Sequence, residues 1–199
     1  MSFDETGIIV EQFIKLHNQI KIIAKKDPRF GIDGLWEICM RNLRCLNPAS
    51  YGCRAETKII EIMALAKTNA SKDLGDAISV DGKFFPINSH IEIKVSFLNE
   101  TKTTMDLRQI RLWQKTDYYL CIIVDTNDLA IAFVLTKEDM LRECELVGSH
   151  CHGTKKANES NTKSGRSITI ECVPENPNYN RWLRSYHRFD IAEILNNCI

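Results

Sequence analysis

A chain of 199 residues is long enough for one domain with a full core, and its 44% hydrophobic and 26% charged residues exclude a disordered or fibrous polymer. The 26 basic and 26 acidic residues cancel, so affinity for nucleic acid must come from local patches rather than net charge. No apolar run approaches the roughly 18–20 residues that span a bilayer, and Met1 to Gly7 lacks the basic-then-apolar pattern of a secretory leader, so a cytoplasmic protein with no membrane partner is expected.

Ile8, Ile9, Phe13, Leu16, Ile20 and Ile23 recur at three- and four-residue steps behind the candidate caps Asp4 and Thr6. They predict an amphipathic helix that stops near Asp27-Pro28. A second helix is expected from Leu35 to about Arg44. Cys45 to Gly52, with Asn47-Pro48 and Tyr51-Gly52, reads as a loop. It leads into a third helix from about Arg54 to Lys67, with Ile59, Ile60, Met63 and Ala64 on the apolar face and Glu56 near the start.

From Asp76 the composition shifts to β-branched and aromatic residues. Asp76 to Val80 and Ile91 to Phe97 are candidate strands around a hairpin-type turn at Asp81-Gly82. Asp106 to Gln114 reads as a helix with Leu107, Ile110 and Trp113 on one side. Asp117 to Asp125 is almost continuously apolar, as a central strand should be, and Leu129 to Leu135 is its neighbour. Thr136 with Asp139 forms a capping pair for a helix to about Glu145. The polar stretch His150 to Arg166 is a loop or arm, Ser167 to Val173 alternates like a strand, and the tail from Tyr179 carries the aromatic anchors Trp182, Tyr186 and Phe189. The expected fold is α/β, a mixed β-sheet flanked by helices, with N-terminal helices over 1–45, a core over 46–145 and an arm with C-terminal elements over 146–199.

The chemistry concentrates in Ile91-Glu92-Ile93-Lys94-Val95, where strict alternation puts Glu92 and Lys94 on one strand face and the three apolar side chains on the other. Charges in so apolar a strand are costly unless paired or metal-bound. Asp76 begins the preceding strand, and two carboxylates on adjacent strands make a hard-oxygen site suited to Mg²⁺. Beside it, the Lys94 amine can orient or deprotonate a water or stabilise charge developing on phosphorus. The plainer alternatives are a structural ion-pair cluster for Asp76, Glu92 and Lys94, and for Glu56 a first-turn acid favoured by the helix dipole. Asp125 precedes Thr126-Asn127 and reads as a turn acid.

Leu74-Gly75-Asp76, Glu92-Ile93-Lys94-Val95-Ser96 and, upstream, Tyr51-Gly52-Cys53-Arg54-Ala55-Glu56 together resemble the PD-(D/E)xK nucleases, and in particular small type II restriction endonucleases. The resemblance covers roughly Cys45 to Asp125. It implies a restriction-endonuclease-like core and a metal held by Asp76, Glu92 and the Ile93 carbonyl, the metal being Mg²⁺, for which Mn²⁺ can substitute. It further implies Lys94 at the attacking water, Glu56 as a third carboxylate, double-stranded DNA as substrate and a homodimer. Gly75 stands where the motif has proline. A tight turn at Asp81-Gly82 would pair Asp76 with about Ile87, so Asp76 meets Glu92 only if the chain kinks near Pro86.

Lys155, Lys156, Asn158, Asn161, Lys163 and Arg166 are candidate DNA contacts, because lysine binds phosphate while asparagine and arginine read base edges. Arg108 and Arg111 could also reach a backbone phosphate. The eight cysteines are scattered without a CxxC pair, which predicts free thiols, and His150-Cys151-His152 with Cys144 matches no standard zinc spacing, so no zinc is expected. Two alternatives to a restriction enzyme stand: a structure-selective repair or mobile-element nuclease of the same fold, and a non-catalytic DNA-binding domain.

Overall fold

A computed structural model describes residues 36–44, 46, 48–69, 73–99, 101–152 and 165–197. The expected helix over Ile8 to Ile23 and the candidate DNA contacts Lys155, Lys156, Asn158, Asn161 and Lys163 lie outside these residues.

Helix α1 spans Trp36–Leu43 and helix α2 spans Pro48–Ile62. The expected loop around Tyr51-Gly52 is therefore helical. Proline's fixed φ suits a first helical turn, where its missing N–H has no intrahelical partner to lose. Starting at Pro48 places Glu56 mid-helix rather than in the first turn, which removes the dipole explanation for that acid. The helix stops at Ile62, short of the expected Lys67, and Ala64 follows with φ 51°.

Strands β1 (Ala66–Lys67), β2 (Ala77–Ile78) and β3 (His90–Phe97) precede β4 (Thr104–Ile110), β5 (Tyr118–Val124) and β6 (Ala130–Thr136). Helix α3 (Lys137–Leu146), β7 (His150–His152), β8 (Gly165–Glu171), α4 (Pro177–Ser185) and α5 (Phe189–Asn196) complete the order. A five-stranded mixed sheet runs β1-β2-β3-β5-β6, and a three-stranded sheet runs β4-β8-β7. Because the chain detours through β4 in the second sheet, it returns to lay β5 parallel to β3, while the other neighbouring pairs are antiparallel. The main sheet is flanked by helices, as the α/β reading requires.

The alternation of the strands divides the core in two. Ile91, Ile93, Phe97, Leu120, Ile122 and Val124 face Trp36, Met40, Ala55, Ile59 and Ile191 of α1, α2 and α5. Tyr119, Cys121, Ile123, Phe133 and Leu135 on the opposite face pack with Met105, Leu107, Ile168, Met140 and Trp182 of the small sheet, α3 and α4. Strand β5 is buried on both faces, and Tyr119 through Val124 are each 0% exposed. The capping pair also forms: Thr136 Oγ1 accepts the Asp139 N–H at 3.1 Å, and Asp139 Oδ2 accepts the Thr136 N–H at 3.3 Å.

Three expectations are corrected. Asp106 to Gln114 is not a helix: β4 covers its first half, and Arg108 lies on that strand with Arg111 just beyond it. A bulge between Leu107 and Ile110 inserts a residue into the alternation, so inward-facing side chains fall three apart and imitate a helical step. His150–His152 is not loop but strand β7, paired with β8. Phe189 is no anchor, being 75% exposed at the start of α5, whereas Trp182 and Tyr186 are buried as expected. Among the described residues no helix is long and apolar enough to cross a membrane.

Candidate active site

The β2–β3 register decides whether the acids meet. Ala77 pairs with Ile91 and Ile78 with His90, so Asp76, one residue before the first rung, stands at the Ile91–Ile93 edge of β3 beside Glu92. The Asp81-Gly82 turn does not close a tight hairpin. Instead the Ser79 N–H donates to the Ser89 carbonyl at 3.0 Å, the Asn88 N–H to the Ser79 carbonyl at 2.8 Å and the Ser89 N–H to the Pro86 carbonyl at 3.1 Å. Asn88 takes a positive φ of 66° in this second turn, and Phe85, 2% exposed, plugs the wide loop into the core. The reversal at Pro86-Ile87-Asn88-Ser89 absorbs the residues that would otherwise have put Ile87 across from Asp76.

Gly75 sets the other end of the register. The Asp76 N–H reaches the Ile91 carbonyl at 2.8 Å, and a Cβ on Gly75, whose φ is +74°, would lie 2.7 Å from that same oxygen. Proline, locked near φ −65°, cannot stand here, so the departure from the nuclease motif has a local steric cause.

The pairing of β2 with β3 ends at Ala77 opposite Ile91, and beyond it, at the open edge of β3, the Asp76 side chain takes over: its Oδ2 accepts the Ile93 N–H at 2.8 Å. Ile91 and Ile93 direct their backbone groups to the same edge, which leaves the Ile93 carbonyl beside Asp76. On the face toward the small sheet, Glu92 is 2% exposed and accepts from Lys94 Nζ at 2.5 Å.

Burial and the charges of neighbouring acids act together on Glu56 and Glu92. Burial and then the neighbouring Asp76 push the Glu56 carboxyl up to about 7, Glu92 adding to the effect and Lys94 opposing it. Burial likewise raises Glu92, with Lys94 pulling it down and Asp76 pushing it up. Burial disfavours the Lys94 ammonium, yet the Glu92, Asp76 and Glu56 charges outweigh it and hold the amine above the usual lysine value. Lys94 is thus a cation at neutral pH.

The donor set fits a hard divalent cation, because crowded, desolvated carboxylates are what such an ion relieves. Among the described residues no three His, Cys, Asp or Glu side chains already close around one point. Glu92 is turned onto Lys94, and holding an ion would mean sharing it.

Glu56 and Lys94 also line a cleft of about 460 Å³ whose other walls are the first half of α2 and strand β4. Arg108 borders this cleft, and the positive charge of Arg111 lowers the Glu92 carboxyl. Arg166 is exposed on β8 and donates to Ser149 Oγ at 2.9 Å. Tyr51, Lys102, Asp106 and Gln109 line the cleft as well and were not singled out from the sequence. The signal on α2 is its spacing: with the helix begun at Pro48, Gly52 and Glu56 stand four apart on one face, and Tyr51 and Cys53 flank Gly52. Cys144 lies in the core at 1% exposure while His150 is exposed on β7.

No known protein family matches this chain, and none of the curated proteins matches it.

Proposed function

We propose that the protein is a Mg²⁺-dependent deoxyribonuclease with a restriction-endonuclease-like core, cutting double-stranded DNA at specific sequences as a homodimer, as type II restriction enzymes do. The observation that carries this reading is Asp76 held at the open edge of the ExK strand, its Oδ2 on the Ile93 N–H between Glu92 and Lys94. An ExK strand alone has many uses; an ExK strand whose open edge is occupied by a second carboxylate has few.

Asp76, Glu92 and the Ile93 carbonyl would hold the cation, with Glu56 as a further acid. When bound, Mg²⁺ would polarise the phosphodiester and acidify a water. Hydrolysis adds that water to phosphorus, breaks one P–O ester bond and delivers a proton to the departing sugar oxygen. Lys94, protonated at neutral pH, is suited to orienting the water and to stabilising negative charge on the phosphate oxygens, rather than to acting as the base. The Asp76 hold on the Ile93 N–H fixes that carboxylate in advance, while Glu92 would have to turn part of its carboxylate from Lys94 to the cation.

The decisive assay is plasmid cleavage with and without Mg²⁺ or Mn²⁺. Cutting is expected only with the metal, in discrete fragments on a large DNA, and is expected to vanish in Lys94→Ala. Activity that persists in Asp76→Ala or Glu92→Ala overturns the mechanism. Calorimetry without Mg²⁺ binding, together with inert but DNA-binding protein, would instead establish the non-catalytic alternative, which the Glu92–Lys94 ion pair favours.

A further inference from the structure

From the acid cluster and its lysine, Glu56 and Lys94 line the 460 Å³ cleft. Around the remainder lie Tyr51, Lys102, Arg108 and Gln109. The volume falls in the range of roughly 300–1,000 Å³ that encloses one small ligand. One nucleotide fits such a space. A base pair, with its second base and second backbone, does not.

The outer wall is cationic by construction. Asp106 Oδ2 lies 3.1 Å from Lys102 Nζ and 3.7 Å from Arg108 Nη2, so one carboxylate braces two cations. Asp106 is itself pinned from two sheets: Thr169 Oγ1 donates to its Oδ1 at 2.9 Å, and its own N–H donates to Ser96 Oγ at 3.0 Å. Lys94 is already paired with Glu92, and Lys102 and Arg108 share the single Asp106 carboxylate, which leaves one positive charge in excess among these three. A phosphodiester is the anion such a pair accepts.

The rest of the wall suits a base. The Tyr51 ring, half-buried and 4.5 Å from the Phe97 ring, offers an apolar side. Gln109 sits on the β4 bulge with φ 56°, a conformation a glutamine adopts only under constraint, and its amide can both donate to and accept from a base edge.

Resting on the nuclease reading above, we propose that this cleft binds one unpaired nucleotide of the substrate strand, adjacent to the phosphodiester that Lys94 faces. Lys102 and Arg108 hold its phosphate, and Asp106 is the positioning residue that keeps both in place. A fully paired duplex must then give up a nucleotide from its stack before cleavage, which costs stacking and pairing energy. Strands already unpaired at that position escape the cost.

The test separates binding from cleavage. In EDTA, anisotropy is measured with labelled octathymidylate and with a labelled hairpin duplex, using wild type and the Lys102→Ala/Arg108→Ala double variant. Both side chains are partly exposed, and an unchanged near-ultraviolet dichroism spectrum verifies the variant's fold. The single strand is expected to bind more tightly than the duplex and to weaken at least tenfold in the double variant. It should also protect Cys53, an exposed thiol lining the cleft, from maleimide, read at that peptide by mass spectrometry. Duplex bound as tightly as the single strand, an unaffected variant, or unprotected Cys53 overturns the proposal. With Mg²⁺ added, duplexes mismatched at the cut position are expected to be cleaved about tenfold faster than paired ones. Metal-dependent cutting without single-strand binding sinks the cleft proposal and leaves the nuclease reading standing. Single-strand binding with no cleavage of any substrate does the reverse.

Discussion

Glu92 and Glu143 are both buried carboxylates, and their surroundings are opposite. Glu143, 0% exposed, accepts from Arg181 Nε at 3.1 Å and Nη2 at 2.6 Å, from Trp182 Nε1 at 2.7 Å and from Tyr186 OH at 2.9 Å. Burial alone would push its carboxyl up, but these donors outweigh burial and hold it below the usual carboxylate value. Glu92, 2% exposed, meets Lys94 on one side and feels the Asp76 charge on the other, and its carboxyl is raised. The fold supplies donors in abundance to one acid and crowds the other with further acids. A satisfied buried carboxylate organises packing, here of α3 against α4. A crowded one carries stored repulsion that a cation can release, which marks a place for chemistry.

The sharpest way to break this contrast is to mutate each side and measure both activity and stability. Lys94→Ala is expected to lower metal-dependent cleavage by at least about 10³-fold, on the order of 4 kcal/mol of transition-state stabilisation, with the fold retained because a Glu92 left without its cation can take up a proton. A loss of fold instead of activity would reassign the cluster as structural. Glu143→Ala is expected to do the converse, destabilising by about 3–4 kcal/mol in denaturant melts because Arg181, Trp182 and Tyr186 all lose their acceptor. Retained stability there would show the network to be dispensable.

Smaller effects refine the same comparison. The Glu56 carboxyl has a folded value of about 7, above its unfolded one, so ionising it opposes folding in metal-free protein at every pH above its unfolded value. Glu56→Gln should therefore stabilise the metal-free protein at pH 8 by on the order of 2 kcal/mol, with the gain fading below about pH 4, as followed by melts across pH. A destabilised Glu56→Gln would mean the acid is paired rather than crowded. Glu143 has the opposite sign: its depressed folded value gives stability that is present above the unfolded value and lost as pH falls through the folded one. The smallest expected effect is accordingly a shrinking gap between wild type and Glu143→Gln below about pH 4.

Much of this architecture was written locally. The unbroken apolar run at Tyr118 to Val124 could only be a strand buried on both faces, and Thr136 with Asp139 forms a cap from neighbours alone. Alternation put Glu92 and Lys94 on one face of β3 without reference to any other element. Local pattern misled where a bulge altered the period, as in β4, and where turn-forming residues sat inside a helix, as at Tyr51-Gly52.

The sequence by itself determined which side chains share a face, because side-chain direction follows from the period of each element. Only the tertiary structure decided which faces meet. The place of Asp76 at the edge of β3 beside Glu92 depends on the wide loop that Phe85 anchors and on the close approach of Gly75 to the Ile91 carbonyl. The cleft likewise depends on a β4 that joins the second sheet through β8. Those contacts join residues distant in the chain, and no periodicity of a single segment encodes the register between two.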